Sequence, residues 1–363
     1  MATKVILLFL ASRIFFLVIA AFSHDFIKVD PGYLGSQVSR GEPPLVWSWA
    51  NMDGRHFVKI ATLGYSGTNF AYFPLYPLLI NLVTRAGLTP ILSGIFVSLL
   101  ATALAAYYLL KLIDLDKHKV SKTEALLLLF LFPFGFILNS VYADALFLFL
   151  TTASFYYARK GKWLTAGVLA LLASLTRLSG LALLPALIVE WWLQKKPSKK
   201  AMIAPVLSFV GFATYSAFLQ ITQGNWRLFQ SSMSAWKQEK IVFITRVFYR
   251  YLKIFFKVSR SLLVYWIAIL EFASFILYSI LSVFVWKKVR ASYGVFMIVS
   301  LSLVTFTGTF AGTPRYLIHL FPAFIGLALL LKNYPWLRLI YYPVTLVLGI
   351  LITAFFVQGY FVG

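Results

Sequence analysis

The chain has 363 residues, of which 61% are hydrophobic and 12% charged, with 33 basic residues against 11 acidic ones, a net charge of +22 and no cysteine. Ordinary soluble chains run at about 45–50% apolar and about 25% charged residues, so a soluble globular domain is excluded, and 35 Phe, 20 Tyr and 10 Trp exclude a disordered one. The missing cysteines remove disulfides, zinc–cysteine sites, iron–sulfur clusters and thiol nucleophiles.

A hydrocarbon core about 30 Å thick needs about 20 apolar residues per helical crossing. Runs near that length recur at residues 4–22, 89–113, 123–139, 141–158, 162–177, 178–194, 201–221, 261–286, 291–311, 315–331 and 338–358. They predict an all-α polytopic membrane protein with about 11 transmembrane helices and no soluble domain left over. The first run carries Arg13 and no small-residue cleavage site, so it reads as a retained helix and not a signal peptide. Residues 70–87 (FAYFPLYPLLINLVTRAG) are apolar enough to cross, but Pro74 and Pro77 each remove a backbone donor. A crossing there would also move four lysine-rich links to the outside, so the segment is read as interfacial or re-entrant.

The links fall into two kinds. Lysine-rich ones lie at 111–122, 159–162, 195–200, 287–290 and 332–338, and the positive-inside rule makes them cytoplasmic. The alternating links are either long and aromatic (23–88 and 222–260) or brief (near 140–144, 176–180 and 312–316), and fall on the outer face with the N-terminus inside.

Charge at membrane depth is expensive, which makes the acids informative. Asp114, Asp116 and Glu124 belong to a cytoplasmic link and are expected to be solvated, and Glu190, beside Trp191 and Trp192, reads as an interfacial anchor. Glu271 lies deep in a predicted helix, where a structural partnership is favoured over a functional site. Asp25, Asp30, Glu42, Asp53, Asp144 and Glu239 all fall on the outer face. Asp53 stands in Trp49-Ala50-Asn51-Met52-Asp53-Gly54-Arg55-His56-Phe57, an acid at a helix start with a histidine three residues on. It can be a catalytic carboxylate or an N-cap. Asp144, in Ser140-Val141-Tyr142-Ala143-Asp144, has the same two readings: a second carboxylate that orients a polar substrate, or a cap.

Arg177 and Arg315 sit on the other two brief outer links. They can clamp a phosphate or snorkel to headgroups. Arg246, Arg250, Lys253, Lys257 and Arg260 form one helical stripe, with Phe248, Tyr251 and Phe255 on another. Such a helix is expected in the headgroup plane, with rings toward acyl chains, as an anchor or as a lipid-phosphate site. The basic excess therefore belongs to membrane lipids, and no nucleic-acid motif accompanies it.

These motifs resemble a known family, the PIG-V-type mannosyltransferases. The resemblance rests on Asp53-Gly54-x-His56-Phe57-x-x-Ile60-Ala61-x-x-Gly64-Tyr65, on Phe70-Ala71-Tyr72-Phe73-Pro74-Leu75-Tyr76-Pro77, and on Ser140 to Phe147. Arg177 with Gly180, the stretch from Gly224 to Trp236, and Pro314-Arg315-Tyr316 with Phe321-Pro322 continue it in order. Three positions depart: Met52 replaces a tryptophan, Asp144 a glutamate, and Ser179 an asparagine. The reaction type carries over; the sugar identity does not.

The resemblance implies a glycosyltransferase of GT-C fold whose first outer loop carries the catalytic acid. It implies a polyprenyl- or dolichyl-phosphate-linked sugar donor, typically of mannose, and a lipid or glycan acceptor. The chain is then a single membrane domain over 1–363, with a catalytic module at 1–221 that includes outer loop 23–88, an amphipathic segment at 222–260 and C-terminal helices at 261–363. It resides in the plasma membrane of a prokaryote or the endoplasmic reticulum of a eukaryote. Asp53 is the expected general base, with Asp144 and His56 orienting groups, Arg177 and Arg315 neutralising phosphate, and Tyr142 and Tyr316 lining the substrate. The chemistry requires no cofactor, although two carboxylates and a histidine could hold a divalent metal. The competing readings are another GT-C transferase or ligase, and a transporter or flippase, which would string ionisable groups along the midplane.

Overall fold

Hydropathy says how long an apolar run is, but proline, glycine and side-chain hydrogen bonds decide how long its helix is. The computed structural model describes residues 2–30, 41–116, 120–195, 197–238 and 240–362. Glu239, Lys117, Lys119 and Lys196 of the links discussed above lie outside the described residues. Every regular element among the described residues is helical. In chain order the α-helices of nine residues or more are α1 (Ala2–Phe26), α2 (Asp53–Leu63), α3 (Leu75–Arg85), α4 (Pro90–Asp116), α5 (Lys122–Phe130), α6 (Asp144–Arg159) and α7 (Trp163–Ser174). There follow α8 (Leu183–Leu193), α9 (Ile203–Gln223), α10 (Ile244–Lys257), α11 (Leu263–Lys288), α12 (Ala291–Thr305), α13 (Phe321–Asn333) and α14 (Leu337–Val357).

Five segments are long and apolar enough to cross a bilayer: Thr3–Phe26, Pro90–Asp116, Lys199–Gln223, Leu263–Lys288 and Leu337–Val357. A sixth exists only if Thr313–His319 and Phe321–Asn333, bent by 90° at Leu320, count as one. The expectation of about 11 crossings is thereby corrected to five, at most six, long apolar helices among the described residues. The run at 123–139 fails because Pro133 and Gly135 stop α5 at Phe130, after which the chain continues as a separate 3₁₀ turn over Gly135–Asn139. The runs at 162–177, 178–194 and 291–311 yield helices of 12, 11 and 15 residues. At 1.5 Å per residue these reach only about 16–23 Å. Residues 70–87 contain the 11-residue α3, also too short to cross.

The chain divides into two compact units. The first comprises Met1–Tyr65, Leu75–Phe149 and Leu327–Val362. Its most telling contact is Arg13, buried within α1. Its guanidinium donates to Asn139 Oδ1 (2.5 Å), to the Gly135 carbonyl (3.2 Å) and to the Phe130 carbonyl (3.5 Å). The rings of Phe9, Phe16 and Phe130 surround it at 5.5–5.8 Å. The break after α5 leaves carbonyls without helical partners, and the buried arginine supplies the donors that water cannot. At the start of α5, Ser121 accepts from the Glu124 amide (3.2 Å), and the Glu124 carboxylate takes Arg338 in two hydrogen bonds of 2.6 and 2.9 Å. Glu124 is thus a buried partner of Arg338, not the solvated acid expected. Asp114 pairs with Lys122.

The second unit comprises Ser66–Pro74 and Leu150–Gly326. Glycines let α7 and α9 cross at backbone contact: a Cβ on Gly211 would lie 2.2 Å from the Leu171 carbonyl oxygen, and one on Gly167 2.8 Å from the Ala204 Cα. Glu190, fully buried on α8, accepts from Arg290 (2.6 and 2.8 Å), Ser292 (2.7 Å) and Gln194 (2.7 Å), with Arg159 at 3.4 Å. The expected interfacial anchor is therefore the centre of an ion cluster joining the ends of α6, α8 and α12. Burial alone pulls the Arg290 guanidinium down, but its hydrogen bonds and charge pairing with Glu190 outweigh that and raise it.

Candidate functional site

In the first unit three stretches far apart in sequence meet around Tyr142. The Val141 amide donates to the Trp49 carbonyl (2.9 Å). The Tyr142 hydroxyl donates to the Asn51 carbonyl (3.1 Å) and accepts from the Asp53 amide (3.3 Å). Asn51, fully buried, donates from Nδ2 to the carbonyls of Phe356 (2.8 Å) and Val357 (3.2 Å). Two glycines permit this approach: a Cβ on Gly54 would lie 3.2 Å from the Val141 oxygen, and one on Gly94 2.5 Å from Val141 Cγ1. Ser98 Oγ donates to the Tyr142 carbonyl (3.3 Å) and is hydrogen-bonded to the Tyr76 hydroxyl (2.8 Å), which also donates to the Gly94 carbonyl (2.9 Å). Burial, with the charge of Asp144 adding to it, pushes the Tyr76 hydroxyl far above the ordinary tyrosine range.

Both acids open helices. Asp53 is the first residue of α2 and half-buried; Met52 takes the cap position and makes no side-chain capping bond. The capping reading of Asp53 is therefore set aside in favour of a first-turn acid, where the helix dipole favours negative charge. Met52 has φ 54° and ψ −113°, a region that favours glycine and that stores strain of about 1–3 kcal/mol in other residues. His56 lies three residues beyond Asp53 on the same helix, half-buried. Asp144 is the first residue of α6 and fully buried, so it is enclosed by protein and does not stand at an open mouth.

The second unit gathers the arginines. Arg177 precedes a 3₁₀ turn over Leu178–Ala182, which Gly180 lets pack onto Ser174: a Cβ there would lie 2.5 Å from the Ser174 Cα. Arg315 and Tyr316 belong to the single turn Thr313–Tyr316, entered through Gly312 at φ 80° and held by a hydrogen bond from Tyr278 to the Pro314 carbonyl (3.0 Å). The Cζ atoms of Arg177 and Arg315 each lie 5.5 Å from the centroid of the Tyr316 ring. One aromatic ring thus holds two guanidinium groups near each other, a concentration of positive charge suited to an anion. The buried His319 lies 5.8 Å from the same ring.

The stripe on α10 keeps Arg246, Arg250, Lys253 and Lys257 exposed, with Arg250 donating to the Gly308 carbonyl (2.7 Å). Its rings do not face acyl chains as expected. Phe248 and Phe255 pack against Phe272, and Phe248 also against Phe275 and Phe310, while Tyr251 hydrogen-bonds Glu271. Burial, then the charge of Glu271, drives the Tyr251 hydroxyl far up. Glu271 accordingly serves the packing of α10 on α11.

Sequence reasoning missed Asn51, Tyr76, Ser98 and His319. Tyr76 and Asn51 stood inside or beside the quoted motifs; Ser98 carried no signal at all. Among the described residues no three His, Asp or Glu side chains gather in a metal-holding group.

The model of the family described as Mannosyltransferase (PIG-V) matches residues 4–222, more than half of the chain. No curated protein matches it.

Proposed function

The chain belongs to the PIG-V mannosyltransferase family, and from that premise we propose that this multi-pass membrane enzyme moves a sugar, mannose in the first instance, from a polyprenyl- or dolichyl-phosphate donor to a lipid-linked or glycan acceptor at the outer face of its membrane. The acceptor oxygen attacks the anomeric carbon. The bond from that carbon to the phosphate oxygen breaks with its electron pair on the phosphate, and the configuration inverts. Asp53 takes the acceptor proton, a role that contributes about 10²–10⁴-fold. His56 and Tyr142 orient the acceptor and the base, and Asp144 holds this arrangement from within the protein. Arg177 and Arg315, with the ring of Tyr316 between them, meet the charge that grows on the departing phosphate. The exposed Arg246, Arg250 and Lys253 attract lipid phosphate at the surface. No step in this chemistry calls for a metal or an organic cofactor. The membrane is the plasma membrane in a prokaryote and the endoplasmic reticulum in a eukaryote.

The observation that carries this reading is the bridge from Tyr142 to both Asn51 and Asp53, which fixes a half-buried acid at a helix start. A transporter would string ionisable groups along the midplane, whereas the mid-helix Arg13 and Glu271 bond to Asn139 and Tyr251 within the fold. The test is purified protein in nanodiscs given polyprenyl-phosphate mannose and candidate acceptor lipids, with mass analysis of products. Consumption of donor with formation of a mannosylated lipid supports the proposal. Transport of intact donor without transfer overturns it.

A further inference from the structure

The turn that carries Arg315 is reached through a link with no helix of its own. Residues 306–312 join α12 to Thr313–Tyr316 and include two glycines in the left-handed region, Gly308 at φ 94° and Gly312 at φ 80°. Such a link takes its shape from the groups that bond its backbone. Three of those groups are held by α10 and the residues just before it. The Val242 amide donates to the Phe306 carbonyl (2.8 Å), Arg250 Nη1 donates to the Gly308 carbonyl (2.7 Å), and the Tyr251 hydroxyl accepts from the Phe310 amide (3.1 Å). The Phe310 carbonyl in turn accepts from the Thr313 amide (2.9 Å). A chain of main-chain hydrogen bonds thus runs from Tyr251 to the first residue of the arginine turn.

The Tyr251 hydroxyl is set for this task by an expensive partner. A phenol has one proton to give and lone pairs with which to accept. Tyr251 gives its proton to Glu271, which is only 5% exposed on the apolar helix α11, and its oxygen lies 3.2 Å from Thr309 Oγ1. With the proton committed to a carboxylate, the oxygen is left to accept from the Phe310 amide. A carboxylate at membrane depth is costly, and packing alone needs no charge here. The Phe310 ring already stacks on Phe275 at 4.3 Å and packs against Tyr251 at 4.9 Å. An apolar pair of similar volume would hold α10 on α11 as well or better. What the Glu271–Tyr251 pair adds is a fixed direction for the hydroxyl, and with it a fixed place for Phe310.

We propose that Tyr251 and Arg250 are positioning residues for the donor phosphate: by fixing Phe310 and Gly308 they set where Arg315 stands, so α10 shapes the phosphate site at one remove. This rests on the assignment of Arg315 to phosphate made above. It gives α10 a task besides surface attraction, since Arg250 bonds the link while Arg246 and Lys253 of the same stripe stay exposed.

Titration of the full chain in nanodiscs with polyprenyl phosphate and with uncharged polyprenol, read by native mass spectrometry, gives a phosphate preference for each variant. Wild type should prefer the phosphate, and Arg315→Ala should lower that preference by on the order of tenfold. Tyr251→Phe combined with Glu271→Met removes both buried partners together, which spares stability. That double variant and Arg250→Ala should each lower the preference by about threefold or more. In an Arg315→Ala background the same changes should cost less than about twofold, because the group they position is gone. Arg250→Ala leaves the buried pair untouched and decides the matter if the double variant does not fold. Equal losses in both backgrounds would mean an effect on stability or surface attraction and would overturn the proposal. An unchanged preference in Arg250→Ala, or in a folded double variant, would do the same. An Arg315→Ala protein with the full wild-type preference would instead overturn the phosphate assignment of Arg315, and this proposal with it.

Discussion

The hydroxyl of Tyr142 stands 3.3 Å from the backbone nitrogen of Asp53, although 89 residues separate them in sequence. The same hydroxyl donates to Asn51, so one phenol ties the second acidic motif to both sides of Met52. Removing it with Tyr142→Phe should leave the fold intact at a cost of about 1 kcal/mol. Turnover should fall by about tenfold or more, with little change in donor KM, since a small displacement of a catalytic group is enough for that. Thermal unfolding in detergent alongside steady-state kinetics checks the split; a loss confined to stability would deny Tyr142 a positioning role.

Asp53→Asn keeps the size of the side chain and removes the carboxylate proposed as the base. A drop of about 10²–10⁴-fold in turnover is expected, with donor binding within a few fold of wild type. Near-wild-type activity on properly inserted protein would assign the proton elsewhere.

Met52 occupies a glycine-favouring conformation immediately before that acid. Met52→Gly should raise stability by about 1 kcal/mol at most, the strain relieved being partly offset by the entropy glycine adds to the unfolded chain. It should also lower turnover by loosening the entry to α2. A variant that gains stability and keeps full activity would show that the strain has no catalytic purpose.

Arg177 and Arg315 share the ring of Tyr316. Arg315→Ala should weaken donor binding more than acceptor binding. Tyr316→Leu, which keeps apolar volume and loses the ring face, should reproduce part of that loss, while Tyr316→Phe should not. Equal effects of Arg315→Ala on donor and acceptor KM would argue against a phosphate role.

Glu190→Ala leaves Arg290 and Arg159 at a buried site without their carboxylate. Breaking such a cluster costs about 3–5 kcal/mol, so the variant should unfold at markedly lower temperature in detergent. Glu190→Gln, which keeps acceptors for Ser292 and Arg290, should sit between the two. An unchanged melting temperature for the alanine variant would mean the cluster contributes nothing net.

How much of this could be read from the chain depends on the range of each interaction. Asp53, Tyr142 and Asp144 stood out as candidates because a local motif carries them, and the structure joins the Tyr142 hydroxyl to the Asp53 amide. Glu124 and Glu190 were misread because their partners, Arg338 and Arg290, lie 214 and 100 residues away, beyond anything local patterning encodes. Helix lengths were misread for another reason. Apolar character measures transfer into lipid, whereas Pro133, Gly135 and the turn before Gly180 act on backbone continuity. The role of Arg13 was hidden most completely, because two of its four acceptors are carbonyls that exist as free acceptors only once α5 has ended.

The short helices α7, α8 and α12 have a consequence for their own termini. At about 16–23 Å they fall short of a hydrocarbon slab of about 30 Å. Where such a helix enters the membrane without crossing it, its terminal amides and carbonyls need partners from protein or from a water-filled cavity.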